Sequence, residues 1–320
     1  MNEFVLISKY LKPLAIKNPG ALKLADDIFF DPEKKIAISL DTYVEGVHFV
    51  DARDPDRFLK KILRASLSDL YSKGIKPKSY FLSLGLNKKL TKIFWLKKIK
   101  HILSYEQKRF NIMLSGGDTV QSSKLVITIV VMGHCKNIPV LRIGSSLNDD
   151  IYVTGNIGDS SIGLSIIKKK YDFGKNNSFF LKKYYEPDLP IKISPHLHKF
   201  ASSSIDVSDG LAQDLQHLCF NSKHGASINL NLLPLSLVCK NLIKQKKIKL
   251  KNIFSRGDDY QIIFTSHYIN RSKILALSKK LNIKISRIGL IKKEKNIIFN
   301  YNMKQFKLTP QKMGYIHNFK

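Results

Sequence analysis

Segments with strand-like and helix-like apolar patterns alternate along both halves of this chain. A strand is expected over residues 36–49, and a helix is expected over residues 55–73. Asp54 is a preferred N-cap residue for this helix, and Gly74 marks its end. Because strands and helices continue to alternate in this way, the sequence predicts a mixed α/β fold.

A polar segment rich in Gly, Ser and Asn occupies residues 142–150 and is the expected boundary between two domains, 1–146 and 147–320. A chain of 320 residues is long enough for two domains that each bury a core. The other elements expected in the first domain are a strand at 79–86, a helix at 91–110 and paired strands at 112–114 and 124–133. Those expected in the second are strands at 151–154, 204–207, 227–230, 260–265, 283–290 and 297–301, and helices from about 160, at 211–221 and at 271–281.

Bulk composition is typical of a globular protein, with 43% hydrophobic and 25% charged residues. The longest apolar run, residues 125–132, is interrupted by Thr128 and is much shorter than the roughly 20 residues that span a bilayer. Residues 1–8 contain Glu3 and only a short apolar stretch, unlike a secretory signal. We therefore expect a cytoplasmic location and no membrane partner. Three widely spaced cysteines fit neither a disulfide framework nor a CxxC metal site.

The net charge of +29 comes from 54 basic residues, of which only 8 are Arg. The lysines are scattered along the chain in pairs and triples instead of forming one stripe. A nucleic-acid-binding protein usually has a focused basic patch, arginines for base edges or a known motif. We therefore expect no specific nucleic-acid partner, and a basic nucleic-acid-binding protein remains the alternative from a different functional class.

Aspartates, in contrast, gather in short clusters beside glycines and at predicted element ends. If these carboxylates converge, each pair at ~4 Å repels by ~4 kcal/mol at an effective dielectric near 20, so cations are required. Oxygen ligands from Asp and Ser favour Mg²⁺, and the His/Cys spacing of a zinc site is absent. The clusters are Asp26-Asp27, Asp41, Asp69, Gly116-Gly117-Asp118, Asp206 with Asp209, and Asp258-Asp259.

Asp69 is the aspartate whose position can be argued directly. In the predicted helix, Phe58, Ile62, Ala65 and Asp69 are spaced by four, three and four residues, which places Asp69 on the apolar face. A carboxylate directed inward near a helix C-terminus is doubly disfavoured, by burial and by the helix dipole. A compensating cation is therefore expected, either a metal ion or, as the alternative, a lysine in a structural ion pair.

The sequence from Asp206 to Leu211 predicts a strand, a glycine turn and the start of a helix. This order places Ser208 and Asp209 at a helix N-terminus, where free N–H groups bind phosphate, although an ordinary helix cap is the alternative. Gly116-Gly117-Asp118, between two predicted strands, is equally compatible with a plain hairpin. A Walker A motif is absent, so a bound nucleotide would be held chiefly through metal ions.

Taken together and in order, the motifs resemble those of bacterial thiamine-monophosphate kinase over nearly the whole chain. Any one of these motifs alone would be a weak signal, whereas the ordered set is specific. The motifs are Ala25-Asp26-Asp27, Ser39-Leu40-Asp41-Thr42 with His48, Leu67-Ser68-Asp69-Leu70 with Gly74, Gly116-Gly117-Asp118-Thr119, Tyr152 to Gly155 with Gly158-Asp159, Ile205 to Leu211, Gly257 to Tyr260, and Gly314-Tyr315.

The resemblance implies a two-domain fold like that of aminoimidazole ribonucleotide synthetase (PurM-like), with an N-terminal α/β domain that forms a homodimer and a C-terminal α/β domain. It also implies ATP-dependent phosphorylation of thiamine monophosphate to thiamine diphosphate, by direct transfer with several Mg²⁺ ions and no covalent catalytic residue. The implied metal ligands are Asp27, Ser39, the backbone of Leu40, Asp41, Asp69, Asp118, Asp206 and Asp209. The implied ATP contacts are Gly116, Gly117, Arg142, Ser208 and Phe110, and the implied thiamine monophosphate contacts are His48, Asp258 and Tyr315.

The chain departs from the family pattern at three positions. Ala25 replaces the usual Gly, Leu40 replaces Thr, and Asp258 replaces Glu and so shortens an expected substrate-binding side chain by one methylene. Other ATP-dependent enzymes of the same superfamily are the alternative. Selenophosphate synthetase should carry a reactive Cys near its N-terminus, whereas the first Cys here is Cys135, and the tail lacks the Cys expected of the hydrogenase-maturation relative.

Overall fold

In the part of the chain that the structure describes, two β-sheets form the framework, one from each half. The structure is a computed structural model that describes residues 1–309, 312–317 and 319. The strands of the first sheet are β1 (Phe29–Asp31), β2 (Ile36–Val44), β3 (Lys76–Leu86), β4 (Met113–Gln121) and β5 (Val126–His134), in the order β1-β2-β5-β3-β4. Those of the second are β6 (Asp150–Thr154), β7 (Ser203–Asp206), β8 (Gly225–Asn229), β9 (Ile262–Ser266), β10 (Ile285–Lys292), β11 (Ile297–Tyr301) and β12 (Lys304–Phe306), in the order β12-β11-β8-β10-β6-β9-β7.

Helices connect and cover these strands, which confirms the mixed α/β class. The helices at 211–221 and 271–281 have the bounds expected from the sequence, whereas the helices at 177–185 and 237–244 were not predicted. The helices are α1 (Glu3–Leu6), α2 (Lys12–Ala15), α3 (Leu59–Ser72), α4 (Ile93–Phe110), α5 (Asp159–Ile167), α6 (Asn177–Tyr185), α7 (Leu211–Asn221), α8 (Leu237–Lys244), α9 (Lys251–Phe254) and α10 (Arg271–Leu281).

The predicted pairing of residues 112–114 with residues 124–133 is wrong. Strand β4 pairs in parallel with β3, and β5 pairs antiparallel with both β2 and β3. Gly116 and Gly117 therefore lie inside the edge strand β4 and not in a hairpin. The apolar pattern shows that two strands exist, but it does not show that the α4 crossover returns β4 to the far side of β3.

The strand expected over residues 36–49 is also shorter than predicted, because β2 ends at Val44. Gly46 follows with a φ of +83°, and its N–H donates to the carbonyl of Phe49 at 2.8 Å. A positive φ is readily adopted by glycine, so the chain turns here. This turn places His48 outside the sheet.

Helix α3 occupies the centre of the molecule and positions much of the site. On one side it packs against β2, β3 and β5, and on the other it contacts β7 and α6 of the second half. Almost every residue of α3 is buried as a result, including the charged Lys61 and Arg64. A helix covered on both sides can direct polar groups into the seam between the two halves.

Each sheet has its own apolar core, and β5 and β6 are joined by residues 135–149. The domain boundary at 146/147 falls in this connection and stays a prediction. In the described residues, no helix is both long enough and apolar enough to cross a bilayer. The cytoplasmic location stays a prediction as well.

Candidate active site

Three aspartates from separate parts of the chain converge at the seam between the two halves. Asp27 precedes β1, Asp69 lies near the end of α3, and Asp206 ends β7. One carboxylate oxygen from each lies within 4.8 Å of the other two. The sequence predicted each of these residues as a metal ligand, and the fold brings them together.

Asp69 is directed inward, as its position on the apolar face of the helix predicted. Its Oδ2 accepts a hydrogen bond from the Ser39 hydroxyl on β2, so two predicted ligands contact each other directly. Burial raises the pKa of Asp69 well above its usual value, and the neighbouring charges of Asp41 and Asp206 raise it further. The site therefore opposes ionisation of Asp69 unless a cation is present.

Asp206 has one satisfied and one unsatisfied oxygen. Its Oδ2 accepts from the Ser68 hydroxyl at 2.6 Å, whereas its Oδ1 is buried and has no hydrogen-bond partner. Burial raises the pKa of Asp206, and this effect is opposed by Ser68 and by the cations of Lys73 and Arg142. A buried carboxylate oxygen without a partner is costly, and a bound cation would satisfy it.

Lys73 and Arg142 supply positive charge to the cluster. The Lys73 ammonium is fully buried and lies 2.9 Å from Asp26 Oδ1 and 3.0 Å from Asp27 Oδ2. The Arg142 guanidinium contacts both oxygens of Asp27, and its backbone N–H donates to Asp26 at 2.7 Å. Arg142 was predicted from the sequence as an ATP contact, but Lys73 was not distinguishable among so many lysines.

Asp41 lies on β2 next to this cluster. Its Oδ2 accepts from the Tyr43 hydroxyl at 3.1 Å, and Tyr43 also exchanges a hydrogen bond with Ser66 at 2.9 Å. Burial is the main cause of the raised pKa of Asp41, and the charge of Asp206 adds to it. Leu40, the adjacent residue, is 62% exposed and has an aliphatic side chain, so only its backbone carbonyl can be a ligand.

Ser208 and Asp209 lie in the turn between β7 and α7, as the sequence predicted. Asp214 of α7 organises this turn by accepting the N–H groups of Asp209 at 3.2 Å and Gly210 at 3.0 Å. Burial, together with the charges of Glu3 and Asp206, raises the pKa of Asp209 to about 7. This carboxyl can therefore gain or lose its proton near neutral pH.

A second group of residues lies beside the cluster and contains the three predicted substrate contacts. Asp258 pairs with the buried ammonium of Lys61 at 2.7 Å and accepts from the Tyr260 hydroxyl at 3.1 Å. Burial is the largest effect and lowers the pKa of Lys61, but the charges and hydrogen bonds of Asp258 and Tyr184 together outweigh it, so the net pKa is raised. Lys61 was not predicted as a site residue, although it lies on the same helix as Asp69.

His48 faces the same group from the turn after β2. Its Nδ1 accepts the N–H of Val44 at 3.0 Å, and burial lowers its pKa, assisted by the nearby charges of His317 and Lys61. A neutral imidazole whose Nδ1 accepts carries its proton on Nε2 and can donate from it. Tyr315, the third predicted contact, donates its backbone N–H to the carbonyl of Asp209 at 3.2 Å and has 49% of its surface exposed.

Asp118 is not brought into the cluster within one copy of the chain. Strands β5 and β3 separate β4 from β2, and three strand spacings of about 4.8 Å place Asp118 ~14 Å from the β2 ligands. Asp118 also lies in register with Thr42, on the exposed side, and not with the core residue Ile129 that pairs with Asp41. Gly116 and Gly117 share this exposed edge strand.

Phe110, the predicted adenine contact, is also outside the cluster. Only 5% of its surface is exposed, and its ring lies 6.4 Å from that of Tyr71 and 5.7 Å from the Arg64 guanidinium. Its ring is therefore part of the first core, and its role in ATP binding stays a prediction.

The chemistry of this donor set fits a hard divalent cation. The cluster offers carboxylate and hydroxyl oxygens, one of which is buried without a partner, and no His or Cys is part of the three-aspartate group. Oxygen donors of this kind are the ligands that Mg²⁺ prefers.

Comparison with known proteins identifies the family. Residues 19–135 match the family described as AIR synthase related protein, N-terminal domain. A thiamine-monophosphate kinase of Buchnera aphidicola subsp. Schizaphis graminum is 36% identical over 99% of this chain and 98% of its own length. The thiamine-monophosphate kinase of Escherichia coli strain K12 is 33% identical over 90% of this chain and 89% of its own length.

Solved structures agree with these relatives. The structure of AaThiL complexed with AMPPCP and TMP has a TM-score of 0.84 and 25% identity, and the match covers 99% of this chain and 97% of that one. Escherichia coli HypE, a hydrogenase maturation protein, has a TM-score of 0.68 at 16% identity and therefore shows the shared fold alone. The resemblance drawn from the motifs is confirmed, and this chain belongs to the thiamine-monophosphate kinase family, with its PurM-like two-domain fold.

Proposed function

We propose that this protein transfers the γ-phosphoryl group of ATP to thiamine monophosphate, which yields thiamine diphosphate and ADP. The observation that carries the proposal is the convergence of Asp27, Asp69 and Asp206, with a buried Asp206 oxygen that lacks a partner. Membership of the kinase family and the fold shared with AaThiL, which is complexed with AMPPCP and TMP, support the two substrates.

The proposal includes several Mg²⁺ ions at the carboxylate cluster. Asp27, Asp69 and Asp206 would hold them together with Ser39 and Asp41, and Asp209 would extend the set toward the turn before α7. Bound Mg²⁺ neutralises phosphate oxygens and holds donor and acceptor in line, which is the main requirement of phosphoryl transfer.

The protein's own groups provide charge and orientation on the ATP side. Arg142 and Lys73 reduce the negative charge of Asp26 and Asp27, which would otherwise repel the triphosphate. Ser208 lies at the start of the turn before α7, and its hydroxyl would face the phosphate oxygens near the positive end of the helix dipole.

On the acceptor side, His48 would donate from Nε2, and the Lys61–Asp258 pair would border the thiamine monophosphate. The phosphate of the acceptor is already ionised near neutral pH, because its second pKa is about 6. It therefore needs no general base, and we propose direct transfer without a phosphoenzyme.

We also propose that the active form is a homodimer in which the second copy supplies Asp118. Every residue of β4 is exposed, including the apolar Met113, Leu114 and Val120, and a long exposed edge strand with apolar side chains is suited to pairing. Because Asp118 is ~14 Å from the β2 ligands of its own copy, it can complete a metal set only across such an interface.

The decisive experiment incubates the purified protein with ATP, Mg²⁺ and thiamine monophosphate and measures thiamine diphosphate. Wild type should form the product, and Asp69→Asn should reduce kcat by about 100-fold or more, because metal-assisted charge neutralisation is lost. Asp209→Asn tests the part of the metal-ligand set that extends toward the turn before α7. Absence of product with wild type, or full activity in both variants, would reject the proposal. Tight salt-sensitive binding to random DNA without kinase activity would favour the nucleic-acid alternative.

A further inference from the structure

Residues 1–4 run alongside residues 313–317 and 319, and we call this pair of segments the strap. The N–H of Glu3 donates to the carbonyl of His317 at 3.1 Å, and the N–H of Phe319 donates to the carbonyl of Met1 at 2.9 Å. The Glu3 side chain adds a further bond, because its Oε1 accepts the N–H of His317 at 3.1 Å. Segments from opposite ends of the sequence are thus hydrogen-bonded to each other.

The strap is anchored beside the turn that carries Asp209. Met313 is buried in the second core, and the C=O of Tyr315 accepts from Gln213 Nε2 at 2.5 Å. A Cβ at Gly314 would lie 2.6 Å from Gln213 Cβ and 2.8 Å from the carbonyl of Asp209, so only glycine fits this approach. The backbone up to Tyr315 is therefore held firmly against the site.

Beyond Tyr315, His317 lies against two of the predicted acceptor contacts. Its ring centroid is 5.3 Å from that of His48, and it packs edge-to-face with Tyr315 at 4.9 Å. His48, Tyr315 and His317 thus form a continuous aromatic wall beside the Lys61–Asp258 pair. Flat π-systems are well suited to contact the aromatic rings of an acceptor such as thiamine monophosphate.

We propose that His317 is a further acceptor-binding residue and that Glu3 is the positioning residue that holds it in the aromatic wall. This inference rests on the proposed function and adds two residues to its acceptor site. The backbone N–H of His317 donates a hydrogen bond to the Glu3 carboxylate. This bond fixes the backbone of the strap at the residue that carries the imidazole. Without the Glu3 side chain, the two segments of the strap keep their backbone hydrogen bonds but lose the hydrogen bond from His317 N–H to the carboxylate.

The test compares Glu3→Ala with Glu3→Gln, which removes the charge and keeps an oxygen that accepts the hydrogen bond. Glu3→Ala should raise the KM for thiamine monophosphate about fivefold, as expected for the loss of one hydrogen bond, with kcat and the KM for ATP within about twofold of wild type. Glu3→Gln should have a KM for thiamine monophosphate close to that of wild type. In calorimetric titration with thiamine monophosphate alone, wild type and Glu3→Gln should bind more tightly than Glu3→Ala.

His317 is tested in parallel by His317→Ala and His317→Phe. The alanine variant should raise the acceptor KM, and the phenylalanine variant should rescue it because an aromatic face is retained. Glu33→Ala, an exposed glutamate outside the strap, is the matched control and should match wild type. An unchanged acceptor KM in Glu3→Ala, equal defects in both Glu3 variants, or a uniform loss that extends to ATP would overturn the inference. A wild type without kinase activity would instead reject the proposed function.

Discussion

At the scale of single residues, the site is defined by carboxylates that the fold holds in unfavourable surroundings. Asp206 is buried, and the partly buried Asp41 and Asp69 lie beside it. The pKa of each is raised by desolvation and, for Asp69 and Asp41, by its neighbours. Lys73 and Arg142 compensate chiefly Asp26 and Asp27, which they contact directly. Within the part of the chain that the structure describes, Asp41, Asp69 and Asp206 therefore have no cation in direct contact.

Asp209 makes this imbalance measurable in the metal-free protein. Burial, Glu3 and Asp206 raise its pKa from 3.8 to about 7, so the folded state binds a proton that the unfolded state has lost. Its contribution to stability is complete below pH ~4 and is lost as pH rises through ~7. In thermal unfolding without metal, Asp209→Asn should therefore be more stable than wild type at pH 8, by about 2 kcal/mol, and similar at pH 5.

Mg²⁺ provides the control for this pH dependence. A bound cation takes the place of the proton, so Mg²⁺ at about 10 mM should raise the Tm of both proteins at pH 8 through the cluster ligands, and that of wild type more because only wild type has the Asp209 carboxylate. Equal pH profiles of the two proteins without metal would show that Asp209 ionises normally in the folded state.

Prediction from sequence succeeded for residues whose local pattern is distinctive and failed for those whose role depends on distant partners. Asp69 could be placed because four helix positions fix its direction, and Ser39 belonged to a recognisable motif. Lys73 could not, since its partners Asp26, Asp27 and Ser204 lie far away in the sequence. A lysine in a lysine-rich chain carries no local sign that it will be buried.

At the scale of secondary structure, α3 and β4 show the same contrast. The apolar face of α3 and its end just before Gly74 followed from local properties, but its predicted start at residue 55 is wrong. Asp54 caps a short 3-10 turn, Pro55–Arg57, and α3 begins only at Leu59. The strand that pairs with β4 could not be predicted from local sequence, because parallel pairing with β3 depends on how the α4 crossover packs. This error bears on the proposed homodimer. A hairpin would pair β4 with β5, whereas β4 is an edge strand whose residues are all exposed.

Mixing two inactive variants tests whether β4 completes the site of a second copy. Asp69→Asn and Asp118→Asn should each be inactive alone, but a hybrid dimer contains one site with both aspartates intact if Asp118 acts across the interface. Random pairing of equal amounts makes half of the dimers hybrid, each with one of two sites restored. Co-expression should thus recover about a quarter of wild-type activity.

The control for this experiment is a mixture of Asp69→Asn with Asp206→Asn. Both residues belong to the cluster within one copy, so a hybrid dimer should contain no intact site. If the Asp118→Asn mixture is as inactive as this control, Asp118 acts within its own copy or plays no part in the site.

At the scale of the whole molecule, the buried side chain of Arg64 connects the two halves. Arg64 of α3 donates to Glu106 of α4 at 2.7 and 2.8 Å, and both side chains are almost fully buried. The same guanidinium donates to the carbonyl of Pro187 in the second half at 3.2 Å. One side chain thus ties the first core to the second domain.

Removal of Arg64 should destabilise the entire chain. Arg64→Met leaves the Glu106 carboxylate buried without a partner, which typically costs about 3–5 kcal/mol, and urea denaturation should show this as a lower midpoint. The double variant Arg64→Met with Glu106→Leu should recover much of the loss because no charge stays buried. Arg53→Met, in the exposed pair with Asp51, should leave the midpoint unchanged. A small effect of Arg64→Met would mean that water reaches Glu106.

The buried ammonium of Lys73 also affects how the two halves are held together when no metal is bound. Its ammonium binds Asp26 and Asp27 and also donates to the carbonyl of Ser204 on β7, so an internal ammonium group joins both halves at the acidic centre. A chain with such a built-in counter-ion does not depend on divalent ions to hold its two halves together. We therefore expect the protein to stay folded when a chelator removes Mg²⁺ and to regain the proposed kinase activity when Mg²⁺ is added back.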